Sequence, residues 1–159
     1  MVNLIWAQTK SGVIGKNNNL PWKIKAEMNH FRETTMYNDI LMGSKTFDSI
    51  KKPLLNRQNY VLTRNTNKYE NYQFDNLHFI NNLNTFLKPY FNNVNKNIYV
   101  IGGKAIFDLA IKFADKLIIS IINKDYDGDI YISPINLEKF KLIKTNKYED
   151  FLVNYYERI

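Results

Sequence analysis

Tyr99-Val100-Ile101-Gly102-Gly103-Lys104-Ala105-Ile106-Phe107 reads as a buried strand that ends in two glycines and runs at once into a helix. Ile40-Leu41-Met42-Gly43-Ser44-Lys45-Thr46-Phe47 repeats that layout, with Ser44 expected as the helix N-cap. Glycine at such a junction lets the backbone approach a ligand, and the free N–H groups of the helix start attract phosphate. Each junction alone is also an ordinary strand-to-helix turn, and G-x-G-x-x-G is missing. As a pair in one small sheet, they suit the pyrophosphate of a dinucleotide.

Outward from these junctions, apolar segments alternate with helical patterns, which implies an α/β fold with a largely parallel sheet. Strands are expected at 2–8, 39–43, 59–63, 77–80, 97–101, 115–122 and 150–157, with a weaker one at 140–147. Helices are expected at 25–35, 45–50, 83–91 and 104–111. The polar, Asn-rich segment 64–76 reads as a loop, as does 123–129. The acids of 123–129 lack the glycine and terminal glutamate spacing of a calcium loop. No repeat or Gly/Ser/Pro-rich linker divides the chain, so residues 1–159 read as a single domain.

The second informative stretch runs from Val13 to Trp22 and on through Glu27, Phe31 and Thr35. A strand (Leu4-Ile5-Trp6-Ala7) leads to a mobile polar loop that closes on Pro21-Trp22, and a helix follows. Glu27, Phe31 and Thr35 fall at i, i+4 and i+8, on one helix face. With Met28 beside them, Glu27 sits among apolar neighbours, where its pKa should rise and a donor-bearing ligand would be welcome. The plainer reading is a solvated acid near the helix start, favoured there by the dipole. Further on, Lys51-Lys52-Pro53-Leu54-Leu55-Asn56-Arg57 is a Pro-fixed loop presenting Leu54 and Arg57. An arginine beside apolar contacts suits a ligand carboxylate, although most loop arginines are simply solvated. His30 and His78 are too few for a metal site and read as structural.

The composition bounds these readings. With 159 residues, 45% of them hydrophobic, the chain can bury a real core. It has no cysteine, which excludes disulfides and thiolate metal sites and fits a reducing cytoplasm. The longest apolar run, Leu117–Ile122, is too short to span a bilayer, and no signal peptide is indicated. A net charge of +7 favours anionic partners such as nucleotides. The Lys and Arg residues are dispersed, with no RNP, KH or zinc-knuckle pattern, which argues against an RNA-binding module. No exposed apolar helix stripe stands out, so a monomer is expected.

Taken together, the ordered set Ile5-Trp6-Ala7, Ile14-Gly15, Leu20-Pro21-Trp22, Glu27, Phe31, Met42-Gly43, Thr46, Ser49-Ile50, Pro53-Leu54, Arg57, Ile101-Gly102-Gly103 and Gly128-Asp129 resembles dihydrofolate reductase over essentially the whole chain. The resemblance implies an eight-stranded, mainly parallel sheet with about four flanking helices and a C-terminal antiparallel hairpin. It also implies an adenosine-binding subdomain over about 38–95, and NADPH-dependent reduction of 7,8-dihydrofolate to tetrahydrofolate. Hydride would pass to pterin C6, with a proton delivered to N5.

By the same resemblance, Glu27 is the active-site acid, where many bacterial members carry Asp. Trp22 positions a water, and Ser120 stands behind the carboxylate. The substrate pocket would be lined by Ile5, Ala7, Met28, Phe31, Ser49, Ile50, Leu54, Ile101 and Phe107, with Arg57 on the glutamate α-carboxylate. NADPH would meet Ala7 and the mobile loop at Ile14, Gly15, Asn18 and Leu20. It would also meet the first junction (Gly43, Ser44, Lys45, Thr46), then Leu62, Thr63 and Arg64. Last comes the second junction (Ile101, Gly103, Lys104, Ala105, Ile106, Phe107), where the family usually carries a cis glycine pair.

Four positions depart from the family pattern. Ser44 stands where many members have arginine for the cofactor 2′-phosphate, which leaves that role to Lys45 and Arg64. Lys104 replaces a third glycine, Ala105 a basic residue, and Phe107 a tyrosine. A related reductase acting on another pterin or a pyrimidine is the alternative. Trp22, Glu27 and Arg57 together favour a pterin that bears a glutamate tail.

Overall fold

Val2–Thr9 forms β1, the strand on which the two halves of the sheet meet. The structure is a computed structural model that describes residues 1–159. The elements follow in chain order as β2 (Val13–Gly15), α1 (Lys25–Thr35), β3 (Asp39–Gly43), α2 (Ser44–Ile50), β4 (Gln58–Leu62) and β5 (Leu77–Ile80). Then come α3 (Leu83–Leu87), β6 (Ile98–Gly102), α4 (Lys104–Ala110), β7 (Lys116–Ile122), β8 (Ile130–Tyr131), β9 (Phe140–Lys147) and β10 (Phe151–Arg158). Eight of the strands form one sheet in the order β5-β4-β3-β6-β1-β7-β10-β9. All pairs are parallel except β7–β10 and β10–β9, so the C-terminal hairpin is the antiparallel edge.

Alternation along β1 sorts the core, because successive strand side chains point to opposite faces. Val2, Leu4 and Trp6 join a cluster with Leu87, Ile106, Phe107 and Ala110, which places α3 and α4 over that face. Ile5 faces the other way, with Trp22, Ile118, Ile122, Phe151 and Val153. Ile40, Met42, Phe47 and Val61 form a third cluster against α2. Tyr99 and Ile101 touch both of the latter two clusters. They therefore floor the gap between α1 and α2.

Several expectations need correction. Helix α3 stops at Leu87, not 91, since Pro89 has no N–H to carry the helix on. The N-cap of α2 is Gly43, extended at φ −83° and ψ 167°; Ser44 is already inside the helix and makes no capping bond. The segment 64–76 includes a short 3₁₀ turn (Thr66–Tyr69) anchored by an aromatic ring. Tyr69 is buried, stacks on Phe79 at 4.7 Å and sends its hydroxyl to Asp48 Oδ1 at 2.9 Å.

The loop after β1 is also more ordered than its composition implies. β2 pairs with β8, and Lys16 and Asn19 close a tight turn whose central residues Asn17 and Asn18 have φ of 51° and 64°. Both values lie in the left-handed region that asparagine tolerates, as in a type I′ turn. Asp129 fastens this turn: its N–H donates to the Gly15 carbonyl and its Oδ2 accepts from the Asn17 N–H, both at 3.1 Å. Gly128 allows the close approach, since a Cβ there would lie 2.2 Å from Val13 Cγ1.

Candidate active site

In a mainly parallel sheet, ligands bind beyond the carboxyl ends of the strands near the switch in strand order. Here β3 and β6 end at Gly43 and Gly102, and Ala7 and Ser120 lie two residues before the ends of β1 and β7, with β6 lying between β3 and β1. Ser120 is buried and paired with Ala7 across β1–β7, so the two sit side by side on the floor.

Helix α1 closes one wall. Glu27 lies in its first turn and is only 7% exposed, with buried His30 and Thr35 on the same helix. The solvated-acid reading of Glu27 therefore does not hold. Its carboxyl joins neither of the two ion pairs in the structure, Lys68–Asp48 at 2.8 Å and Lys116–Glu157 at 3.8 Å. Burial alone pushes its pKa from 4.5 up to about 7. Trp22, packed on Tyr126 at 5.9 Å, carries a buried indole N–H with no partner within the chain. Met28, by contrast, is 59% exposed, so it does not line a closed wall around Glu27 as expected.

The far end of α1 holds a second buried charge. Arg57 is 8% exposed and has no carboxylate partner. Its Nε donates to the Leu55 carbonyl at 2.8 Å and its Nη1 to Thr35 Oγ1 at 3.1 Å. Thr35 in turn donates to the Phe31 carbonyl at 2.9 Å. Burial, and then the nearby Arg32, pull the Arg57 pKa down, as expected of a cation that lacks an anion. Eight residues of helix separate Glu27 from Thr35, about 12 Å along the axis. Phe31, Ile50 and Leu54 are half-buried. The cleft thus carries an acid at one end, a fixed guanidinium at the other and apolar walls on α1 and α2.

Ile5 is buried behind this cleft, whereas Ser49 is exposed and donates to the Thr46 carbonyl at 2.8 Å. On the opposite sheet face Phe107 is buried against Trp6 at 5.3 Å. It lies under Gly102, whose Cβ would meet its ring at 3.3 Å.

The other half is open and basic. Ser44, Leu62, Thr63, Arg64, Asn65, Lys68 and Leu109 are among the residues that line a cavity of about 620 Å³, which Glu27 does not reach. Lys45, Lys104 and Ala105 are exposed near the two junctions. The junctions differ in backbone. Gly102–Gly103 is a cis peptide with Gly102 at φ +122°, while Gly43 packs so closely that a Cβ would lie 2.8 Å from Ile106 Cγ1. A Cβ at Gly103 would meet only Thr46 Oγ1, at 3.7 Å, so room remains at the start of α4. Glycine approach, a helix start and the cations Arg64 and Lys68 fit a phosphorylated dinucleotide. Leu20 and Asn18 are exposed on the turn fastened by Asp129, and Ile14 is half-buried.

Sequence reasoning missed Lys68 and Asp129 as parts of these walls. Lys68 lay in a segment read only as a polar loop, and the partners of Asp129 are 112 to 114 residues away.

Proteins of known fold and family resemble the chain over nearly its whole length. A family model described as dihydrofolate reductase matches residues 1–158. The dihydrofolate reductase of Ureaplasma parvum serovar 3 is 41% identical, covering 98% of this chain and 96% of that protein. That of Mycoplasma genitalium is 38% identical, covering 99% and 98%. A solved dihydrofolate reductase from Enterococcus faecalis, complexed with NADP(H) and RAB-propyl, superposes with a TM-score of 0.84. It is 27% identical and covers 99% of this chain and 96% of its own.

Proposed function

The chain belongs to the dihydrofolate reductase family, and from that premise we propose how its own residues reduce 7,8-dihydrofolate to 5,6,7,8-tetrahydrofolate with NADPH. NADPH supplies the hydride when bound, so the protein's task is to orient, to exclude water and to route one proton. Glu27 carries that proton. Its burial keeps the carboxyl close to half-protonated near neutral pH, where a general acid works best. The carboxyl accepts hydrogen bonds from the amidine-like edge of the pterin, and the unpaired Trp22 N–H holds a water on the route to N5. Ile5, Ala7 and Ser120 back this end of the pocket, and Phe31, Ile50 and Leu54 flank the aminobenzoyl ring.

Arg57 receives the glutamate α-carboxylate. With Nε and Nη1 already engaged, the remaining guanidinium donors are aimed and ready. Lys45, Arg64 and Lys68 meet the cofactor phosphates beside Ser44 and Thr63, and the turn at Asn17–Leu20 covers the nicotinamide end. The working unit is a monomer with a single domain, in the cytoplasm and without a nucleic-acid partner. No helix is long and apolar enough to cross a membrane.

One observation carries this reading above the others. Two buried charged groups of opposite kind, neither in an ion pair, stand at the two ends of one helix, about 12 Å apart along its axis. The arrangement is suited to an elongated ligand with a donor-bearing head and a carboxylate tail. Dihydrofolate-dependent oxidation of NADPH tests it, with NADH run in parallel. Rapid oxidation of NADPH is expected, and slower oxidation of NADH. Tight NADPH binding with no oxidation by dihydrofolate would move the substrate to another heterocycle.

A further inference from the structure

The segment that presents Arg57 is held by two asparagine side chains. Asn59, the second residue of β4, is 0% exposed and uses its amide in both directions. Its Oδ1 accepts from the Leu54 N–H at 2.8 Å, and its Nδ2 donates to the carbonyls of Leu54 and Arg57, each at 2.9 Å. Asn76, just before β5, sends its own Nδ2 to the same two carbonyls, each at 3.1 Å. The Asn76 carbonyl also accepts the Asn59 N–H at 2.8 Å, which locks the two residues together. Two side-chain amides thus converge on the backbone of the arginine itself. A carbonyl oxygen has two lone pairs, so both donors can be satisfied at once.

This arrangement has a functional cost attached to its loss. Bidentate recognition of a carboxylate by arginine depends on the direction of a rigid fork. A backbone free to move by a fraction of an ångström would misdirect that fork without disturbing the pterin end, about 12 Å away along α1. Asn76 is half-buried and lies outside the cavity lined by Ser44 and Arg64. It is therefore separable from both the proton route and the cofactor.

We propose that Asn76, acting with Asn59 through the carbonyls of Leu54 and Arg57, is a positioning residue that sets affinity for the carboxylate tail of the substrate. The inference rests on the reading of Arg57 as the site for that carboxylate.

The test measures Asn76→Ala, Arg57→Leu and the double variant with two substrates, 7,8-dihydrofolate and a 7,8-dihydropterin that lacks the aminobenzoylglutamate tail. Loss of two hydrogen bonds to the arginine segment should raise KM for dihydrofolate roughly three- to tenfold in Asn76→Ala. kcat for dihydrofolate and KM for the tail-less pterin should not change. In the Arg57→Leu background the Asn76 substitution should add nothing, because two residues acting through one contact are not additive. If Asn76→Ala does not fold, Asn76→Ser, which stays polar and uncharged but is too short to reach both carbonyls, is read by the same split.

An unchanged KM for dihydrofolate in a folded Asn76 variant, alongside a raised KM in Arg57→Leu, overturns the inference alone. Equal changes with both substrates overturn it too, since they mark general loosening. An unchanged KM in Arg57→Leu overturns the reading of Arg57 itself, and the inference with it.

Discussion

Glu27 and Arg57 are buried, unpaired and held by the fold, whereas Arg64 and Lys68 stand largely in solvent around an open cavity. The two halves of the ligand cleft therefore recognise charge on different terms. At the substrate half, desolvation shifts the pKa of both groups, and a ligand that pairs them recovers part of that cost. At the cofactor half the cations remain hydrated and screened, so each adds little by itself and several act together. Lys68 even has an anion already, Asp48 at 2.8 Å, which a phosphate must compete with. The contrast teaches that specificity at the pterin end is built into the fold, while grip on the cofactor is spread over the surface.

The largest effect that could break this comparison is on turnover. Removing one general acid typically costs about 10²- to 10⁴-fold, so Glu27→Gln should lose that much of kcat at neutral pH. NADPH affinity, measured by fluorescence titration, should be nearly unchanged. Equal losses in both would erase the distinction between the halves.

Next comes stability. In the folded chain Glu27 keeps its proton up to about pH 7, while in the unfolded chain it loses it near 4.5. Between those values the folded state binds more protons, so stability falls as pH rises through that window, and the full penalty stands above it. At 1.36 kcal/mol per unit the penalty is about 3 kcal/mol. Ligand-free Glu27→Gln should therefore melt several degrees higher than the parent above pH 7 and show no gain below 4.5. Thermal denaturation at the two ends of that range checks the sign.

Arg57→Leu should raise KM for dihydrofolate by roughly 10- to 100-fold, the worth of a charge-assisted pair, with kcat little changed. The smallest effect belongs to the exposed half. Arg64→Ala should weaken NADPH roughly two- to fivefold, leave NADH unchanged and make NADPH binding less sensitive to salt. A loss at Arg64 as large as that at Arg57 would show that both halves are preorganised alike.

Most of the fold was legible because its signals are local. Apolar runs such as Leu117–Ile122 and glycine-ended strands mark the parallel sheet, and the spacing of Glu27 and Thr35 marks one helix face. The strands that escaped, β2 and β8, are three and two residues long and pair across more than a hundred residues. No periodicity can reveal a pairing of that kind. Asn59 and Asn76 escaped for a related reason: in sequence they are two asparagines among many, and only the fold brings both amides to the same carbonyls. Ser44 misled because a good capping residue follows a glycine that takes the cap itself. Met28 misled because its place beside Glu27 in sequence does not bury it, whereas Trp22 and Ile5, distant from each other in sequence, are buried in one cluster.

The measurement that bears most directly on the central role of Glu27 is the pH dependence of dihydrofolate-driven NADPH oxidation in the parent chain and in Glu27→Gln. Parent turnover should fall as pH rises through about 7, as the buried carboxyl loses its proton, while the variant should be slow and flat across the same range. A variant that keeps parental rates, or shows the same decline with pH, would contradict that role.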